Sequence, residues 1–147
     1  MNGSGDGART PRGRALLLAM AVLASLGGGA VDAAAQANNT ISVPVTGLRN
    51  DNGEVRCGLY ASADGFREPG RQMMGVVAPI KNRQATCVFT NVPPGTYAAA
   101  VFHAEHGETE ISYGLFGKPK QGYGFSRNPS TLFGPPSFAA TSFAYKG

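Results

Sequence analysis

Beyond residue 37 apolar side chains recur at every second position rather than every third or fourth. From Ile41 to Leu48 they alternate with polar or small residues, the period of a half-buried strand. Pro44 has no N–H to give a ladder, so this first strand belongs at a sheet edge. Asp51-Asn52-Gly53 reads as a turn, and alternation resumes over Glu54 to Tyr60 with Val55, Cys57 and Leu59 on one face. Residues 62–72 read as a loop with a short helical turn, anchored by Phe66. A third apolar run spans Met73 to Ile80. A fourth spans Gln84 to Thr90, with Cys87 and Phe89 sharing a face. Pro93-Pro94-Gly95 forms a hard turn before a fifth strand, Thr96 to His103, whose alanines imply close packing. The sixth is Ser137 to Tyr145. No helical period is sustained after residue 37, so the pattern predicts an antiparallel β-sandwich of about six or seven strands.

Between the fifth and sixth strands the pattern breaks. Gly117-Lys118-Pro119-Lys120-Gln121-Gly122-Tyr123-Gly124-Phe125-Ser126, then Phe133-Gly134-Pro135-Pro136-Ser137-Phe138, alternates glycines and prolines with aromatics. Disordered segments are poor in aromatics and long loops in compact domains are often functional, so an ordered loop is expected here. Tyr123, Phe125, Phe133 and Phe138 have two readings. They plug the open end of the sandwich, or they form a platform on which a sugar ring or peptide stacks. The plug is the simpler of the two.

The first residues carry an export pattern. Arg9, Arg12 and Arg14 precede the apolar run Ala15 to Ala24, and Ala35-Gln36-Ala37 has the form of a cleavage site. Cleavage after Ala37 is expected, leaving residues 38–147 as one domain with no transmembrane anchor, exported to the periplasm or secreted. The arginines are not adjacent and no Cys follows the apolar run, which argues against a twin-arginine signal and a lipid anchor. The formal net charge is +4, and the cations are scattered rather than striped. Nucleic acid is therefore not an expected partner. Cys57 and Cys87 are the two cysteines, too far apart in sequence for a C-x-x-C redox pair, and in an exported domain they are expected to form a structural disulfide.

Five stretches carry a resemblance. They are Phe89-Thr90-Asn91-Val92-Pro93-Pro94-Gly95-Thr96-Tyr97, then Val101-Phe102-His103, Phe116-Gly117-Lys118-Pro119, Gly122-Tyr123-Gly124-Phe125-Ser126 and Gly134-Pro135-Pro136-Ser137-Phe138. Together they resemble the bacterial family known as domain of unknown function 2141. The resemblance implies an exported sandwich of the immunoglobulin-like or transthyretin-like kind and brings no catalytic residues. It also implies an acidic, Asn-rich, cation-binding loop after the strand-end histidine. Here that stretch runs His103-Ala104-Glu105-His106-Gly107-Glu108-Thr109-Glu110-Ile111-Ser112, with Ala104 at the first acidic position and Ser112 at the last. Calcium takes six to eight oxygen ligands, so the departures imply a weakened or lost site.

The remaining chemistry is sparse. His103, Glu105 and His106 are the residues a transition-metal site or metal-dependent enzyme would use, but two histidines are few for a site of three or four ligands. Ser126 lacks a nucleophile elbow and is better placed to cap its turn. Tyr97, just after a Pro-Gly turn, fits a tyrosine-corner anchor. The reading that results is a non-catalytic binding or accessory module of the cell envelope, with no cofactor and no metal assigned. Its binding residues would be Tyr123, Phe125, Ser126, His103 and Glu105, and its partner a glycan, a peptide or an envelope protein. A metal-dependent enzyme using His103, Glu105 and His106 is the alternative from another class, and a purely structural envelope domain is the third.

Overall fold

A computed structural model describes residues 39–147. The leader and its cleavage after Ala37 lie outside the described residues. Seven strands form two antiparallel sheets. One sheet pairs β1 (Ile41–Val45) with β4 (Ala85–Phe89). The other runs in the order β3 (Met74–Pro79), β2 (Glu54–Tyr60), β5 (Gly95–Ala104), β6 (Tyr123–Phe125), and β7 (Phe143–Tyr145) also pairs with β5. This is the antiparallel sandwich that the alternation predicts. Pro44 sits in β1, which pairs on one side only, the edge position where a strand proline is tolerated.

The facing sides of the two sheets bury one core. Ile41, Ala85, Cys87 and Phe89 meet Val55, Cys57, Leu59, Tyr97, Ala99 and Val101. Cys57 on β2 and Cys87 on β4 are disulfide-bonded with their Cα atoms 6.4 Å apart, so the covalent link crosses from one sheet to the other. Tyr97 is buried, and its hydroxyl donates to the Pro93 carbonyl at 2.8 Å, tying the Pro-Pro-Gly turn to the start of β5. β3 and β4 are joined by a two-residue turn in which Asn82 and Arg83 both have positive φ, 54° and 59°. That left-handed pair is the hairpin geometry matching strand twist. The Asp51 carboxylate accepts from the N–H of both residues, which explains an otherwise isolated acidic side chain.

Three expectations are corrected. The stretch Ser137 to Tyr145 is not one strand. Phe138–Thr141 is a single helical turn, α1, and only Phe143–Tyr145 is extended. The Ser137 hydroxyl caps this turn by accepting from Ala140 N–H, while the buried Thr141 hydroxyl lies within bonding distance of the Ser137 and Phe138 carbonyls. Such local side-chain bonds compete with strand formation. Within the long loop the structure adds β6, a three-residue strand too short to show a period.

The third correction concerns the aromatic rings, which do not plug the end of the sandwich. β5 has alanines on its outer face as well as its inner one, and Ala98 is wholly buried. A second apolar cluster of Tyr60, Phe66 and Ala98, with Ala100, Phe125 and Phe138 against it, covers the outer face of the larger sheet. Phe66 is its hub, edge-on to Tyr60 at 5.2 Å and to Phe138 at 5.7 Å, with Phe125 at 6.3 Å. The loop of residues 62–72 is thus anchored by Phe66 as expected, and the Gly/Pro segment exists partly to bring Phe125 and Phe138 to it.

Two stability measurements check this architecture. Reducing Cys57–Cys87, which closes a loop of 30 residues, should lower the unfolding free energy by about 3–4 kcal/mol in denaturant titrations. Phe66→Ala should cost about 3–5 kcal/mol, the loss of a buried ring. A loss near zero would remove the outer cluster as a structural element.

Candidate binding surface

The segment after β5 is held by the turn before β2. Gly53 has φ +69°, and a β-carbon there would overlap the Ala104 carbonyl, so only glycine lets the Asn50–Gly53 turn lie against the end of β5. The turn presents the Asn52 carbonyl to the buried His103 ring at 2.8 Å. A carbonyl only accepts, so Nε2 is the donor and its proton is fixed there. The other nitrogen, Nδ1, faces the Glu105 carboxylate at 3.7 Å. Glu105 in turn accepts from Asn50 Nδ2 at 3.1 Å and pairs with Arg49 at 3.3 Å.

Glu108 is satisfied separately. It accepts from the His106 N–H at 2.9 Å, and Gln121 Nε2 lies 3.5 Å from it. Gln121 is buried and also donates to the Ser112 hydroxyl at 2.9 Å and accepts from the Ser112 N–H at 3.0 Å. Between Arg49, Glu105, Glu108, Lys120 and Gln121 lies a polar recess of about 260 Å³. Gln121, the residue that closes it, has no signal in the sequence beyond its place inside a Gly-rich loop.

The two histidines do not share this recess as a ligand pair. The His103 ring is buried and committed to Asn52, whereas the His106 ring is turned out to solvent beside Glu108, its Nδ1 3.4 Å from the carboxylate. Among the described residues no three His, Cys, Asp or Glu side chains are grouped as metal ligands. Ser126 is likewise occupied. Its hydroxyl donates to the Thr141 carbonyl at 2.7 Å and accepts from the Ala99 N–H at 2.9 Å, while its own N–H bonds the Ala99 carbonyl. A serine oxygen so engaged stitches β5, β6 and α1 together.

Tyr123 and Phe125 share the outer face of β6. Phe125 packs inward on Phe66, and Tyr123 stands edge-on to Phe125 at 5.8 Å with 40% of its surface exposed. The strand register sets Val77, Arg56, Phe102 and Tyr123 opposite one another across four strands. Arg56 lies in the middle of this row, paired to Glu54 at 2.7 Å, and its buried Nε has no partner among the described residues. Sequence reasoning missed Arg56 and Phe102, which look like the ordinary solvent-side positions of alternating strands.

Glu108 supplies a pH-dependent check. The His106 N–H, its own N–H and Gln121 hold its pKa down from 4.5 to about 2. Its folded pKa is depressed, so its contribution to stability is present above pH 4.5 and is lost as pH falls towards 2. The Glu108 side-chain carboxyl resonance should therefore titrate near 2, and Gln121→Ala should move that midpoint upward. A midpoint at 4.5 in the intact protein would show that these donors do not engage the carboxylate.

No curated protein and no solved structure matches the chain significantly. The family described as an uncharacterized protein conserved in bacteria matches residues 43–147, from β1 to the last residue. That match takes in both sheets, the recess and the aromatic segment, and the chain belongs to this family, domain of unknown function 2141.

Proposed function

We propose that the protein is a non-catalytic binding module of the cell envelope, with the outer face of its larger sheet as the binding surface. One observation carries this reading: the Tyr123 ring is half-exposed on a rigid sheet, in one row with Phe102 and Arg56. An aromatic ring held by the packing beneath it offers an apolar face at little entropic cost. Beside it the Glu54–Arg56 pair supplies a carboxylate acceptor and guanidinium donors. Apolar area flanked by a few oriented polar groups suits a sugar ring, whose hydroxyls need partners and whose C–H face stacks. A glycan of the envelope is the ligand class this chemistry favours.

Export is part of the same reading. The leader pattern of residues 1–37 supports it, as does the Cys57–Cys87 bridge, since disulfides persist in oxidising compartments. No helix among the described residues is long and apolar enough to cross a membrane. The recess adds no argument for catalysis, because its carboxylates already serve protein donors, and Ser126, apart from it, is engaged with Ala99 and Thr141.

Tyr123→Ala tests the proposal. It should cost about 1 kcal/mol of stability or less, since the ring leaves an edge contact rather than a core. On a glycan array the wild type should bind and the variant should lose about tenfold or more in affinity. Wild-type protein that binds no glycan, or a variant that binds undiminished, would overturn the reading. A parallel peptide array decides whether the row takes a peptide instead.

A further inference from the structure

The long loops on either side of β6 each end in the same three residues. Leu115-Phe116-Gly117 tips the first, and Leu132-Phe133-Gly134 tips the second. The first is a hairpin, closed by Lys120 N–H to the Ser112 carbonyl and Gly114 N–H to the Lys118 carbonyl, with a 3-10 turn at its end. The second leaves β6 at Ser126 and returns at α1, where the Ser126 hydroxyl bonds Thr141. In both, the glycine has positive φ, 69° and 120°, and lets the chain reverse behind the apolar pair.

All four side chains are nearly bare. Leu115 and Phe116 are 81% and 91% exposed, and Leu132 and Phe133 are 81% and 99% exposed. Tyr113, on the stem of the hairpin, is exposed as well. Apolar residues scattered singly on a surface need no explanation, but a repeated Leu-Phe pair at the apex of two loops does. Neither pair belongs to either of the two apolar clusters, so folding alone does not account for them.

The charge around the tips selects the occupant. From Ile111 to the last residue the chain contains Lys118, Lys120, Arg127 and Lys146 and not one Asp or Glu. Lys118 and Lys120 form no ion pair among the described residues, Lys120 bordering the recess that holds Glu105 and Glu108, and Arg127 hydrogen-bonds the Ser142 carbonyl. A second copy of this chain would bring the same cations to the same tips and repel. An anionic lipid surface has the opposite charge. It is also soft, so separate protruding pairs can each enter it without a matching pocket. Apolar insertion and a basic patch together are the two signals that stable peripheral attachment requires.

We infer that the two Leu-Phe-Gly tips, with Lys118, Lys120 and Arg127 beside them, dock the protein on an anionic membrane surface. The inference rests on the loops alone and stands whether or not Tyr123 binds a glycan.

The test is co-sedimentation with vesicles of phosphatidylethanolamine and phosphatidylglycerol, set against vesicles of phosphatidylcholine. Wild type and variants are compared in the same purified form, so any contribution from residues 1–38 cancels. The protein should bind the anionic vesicles and lose affinity as salt is raised. The double variant Phe116→Ser, Phe133→Ser should bind about tenfold more weakly or worse, through loss of two inserted rings. Its thermal unfolding should be unchanged, because neither ring packs. The chain has no Trp, so Phe133→Trp provides a single reporter whose emission should shift to the blue on anionic vesicles. Absence of vesicle binding, full binding by the double variant, or an unshifted tryptophan would each overturn the inference. Concentration-dependent dimerisation abolished by the double variant would overturn it in favour of a second copy, and capture by a soluble acidic protein without lipid would overturn it too.

Discussion

β5 is covered on both faces, and its small side chains make that possible. Tyr97, Ala99 and Val101 face the disulfide and the smaller sheet, while Ala98 and Ala100 face Phe66, Phe125 and Phe138. A leucine at Ala98 or Ala99 would force one layer away, since packed interiors leave little spare room. With alanines the strand carries two apolar layers a sheet's width apart. Everything that positions the proposed binding surface hangs from this strand. β6 and β7 pair along its one edge, the Ser126 hydroxyl replaces a backbone contact between them, and His103 secures its last turn to the start of β2.

The disulfide complements this arrangement rather than repeating it. The smaller sheet has two strands, and an isolated pair is marginal in water. It stays because Ile41, Ala85 and Phe89 are buried and because Cys87 is bonded to Cys57 at the middle of the larger sheet. The outer cluster has no such staple. It is held by one hub ring on a loop and by a chain segment whose glycines and prolines set its path. Loosening there would expose the Tyr123 face while leaving the disulfide-bonded layer intact.

What was readable in the sequence follows from period and chemistry. Alternation over Val55, Cys57 and Leu59 places Cys57 inward, and Cys87 with Phe89 does the same on β4, so the bridge and the core layer are legible before any coordinates. Tyr97 after Pro-Pro-Gly is legible for its hydroxyl as well as its ring. β6 was not, because three residues cannot display a period of two. The C-terminal segment misled because alternation over Ala139 to Tyr145 does not register that Ser137 and Thr141 bond local backbone and turn the chain. The outer aromatic layer was hidden for a different reason. A ring's loop reveals that it must pack, whereas the face it covers depends on which alanines of β5 lie opposite. Arg56 and Phe102 acquire their neighbourhood only from register, which links strands far apart in sequence.

The segment from His103 to Ser112 is held by hydrogen bonds and an ion pair within the protein. Two of its carboxylates are answered by protein groups. Glu105 meets Arg49 and Asn50, and Glu108 meets the His106 N–H and Gln121. Ala104 is wholly buried under the Gly53 turn, where a carboxylate would have no room. Backbone donors stabilise the charge of Glu108 and hold its pKa down to about 2. The hairpin bearing Leu115 and Phe116 is anchored by the same Gln121, through Ser112.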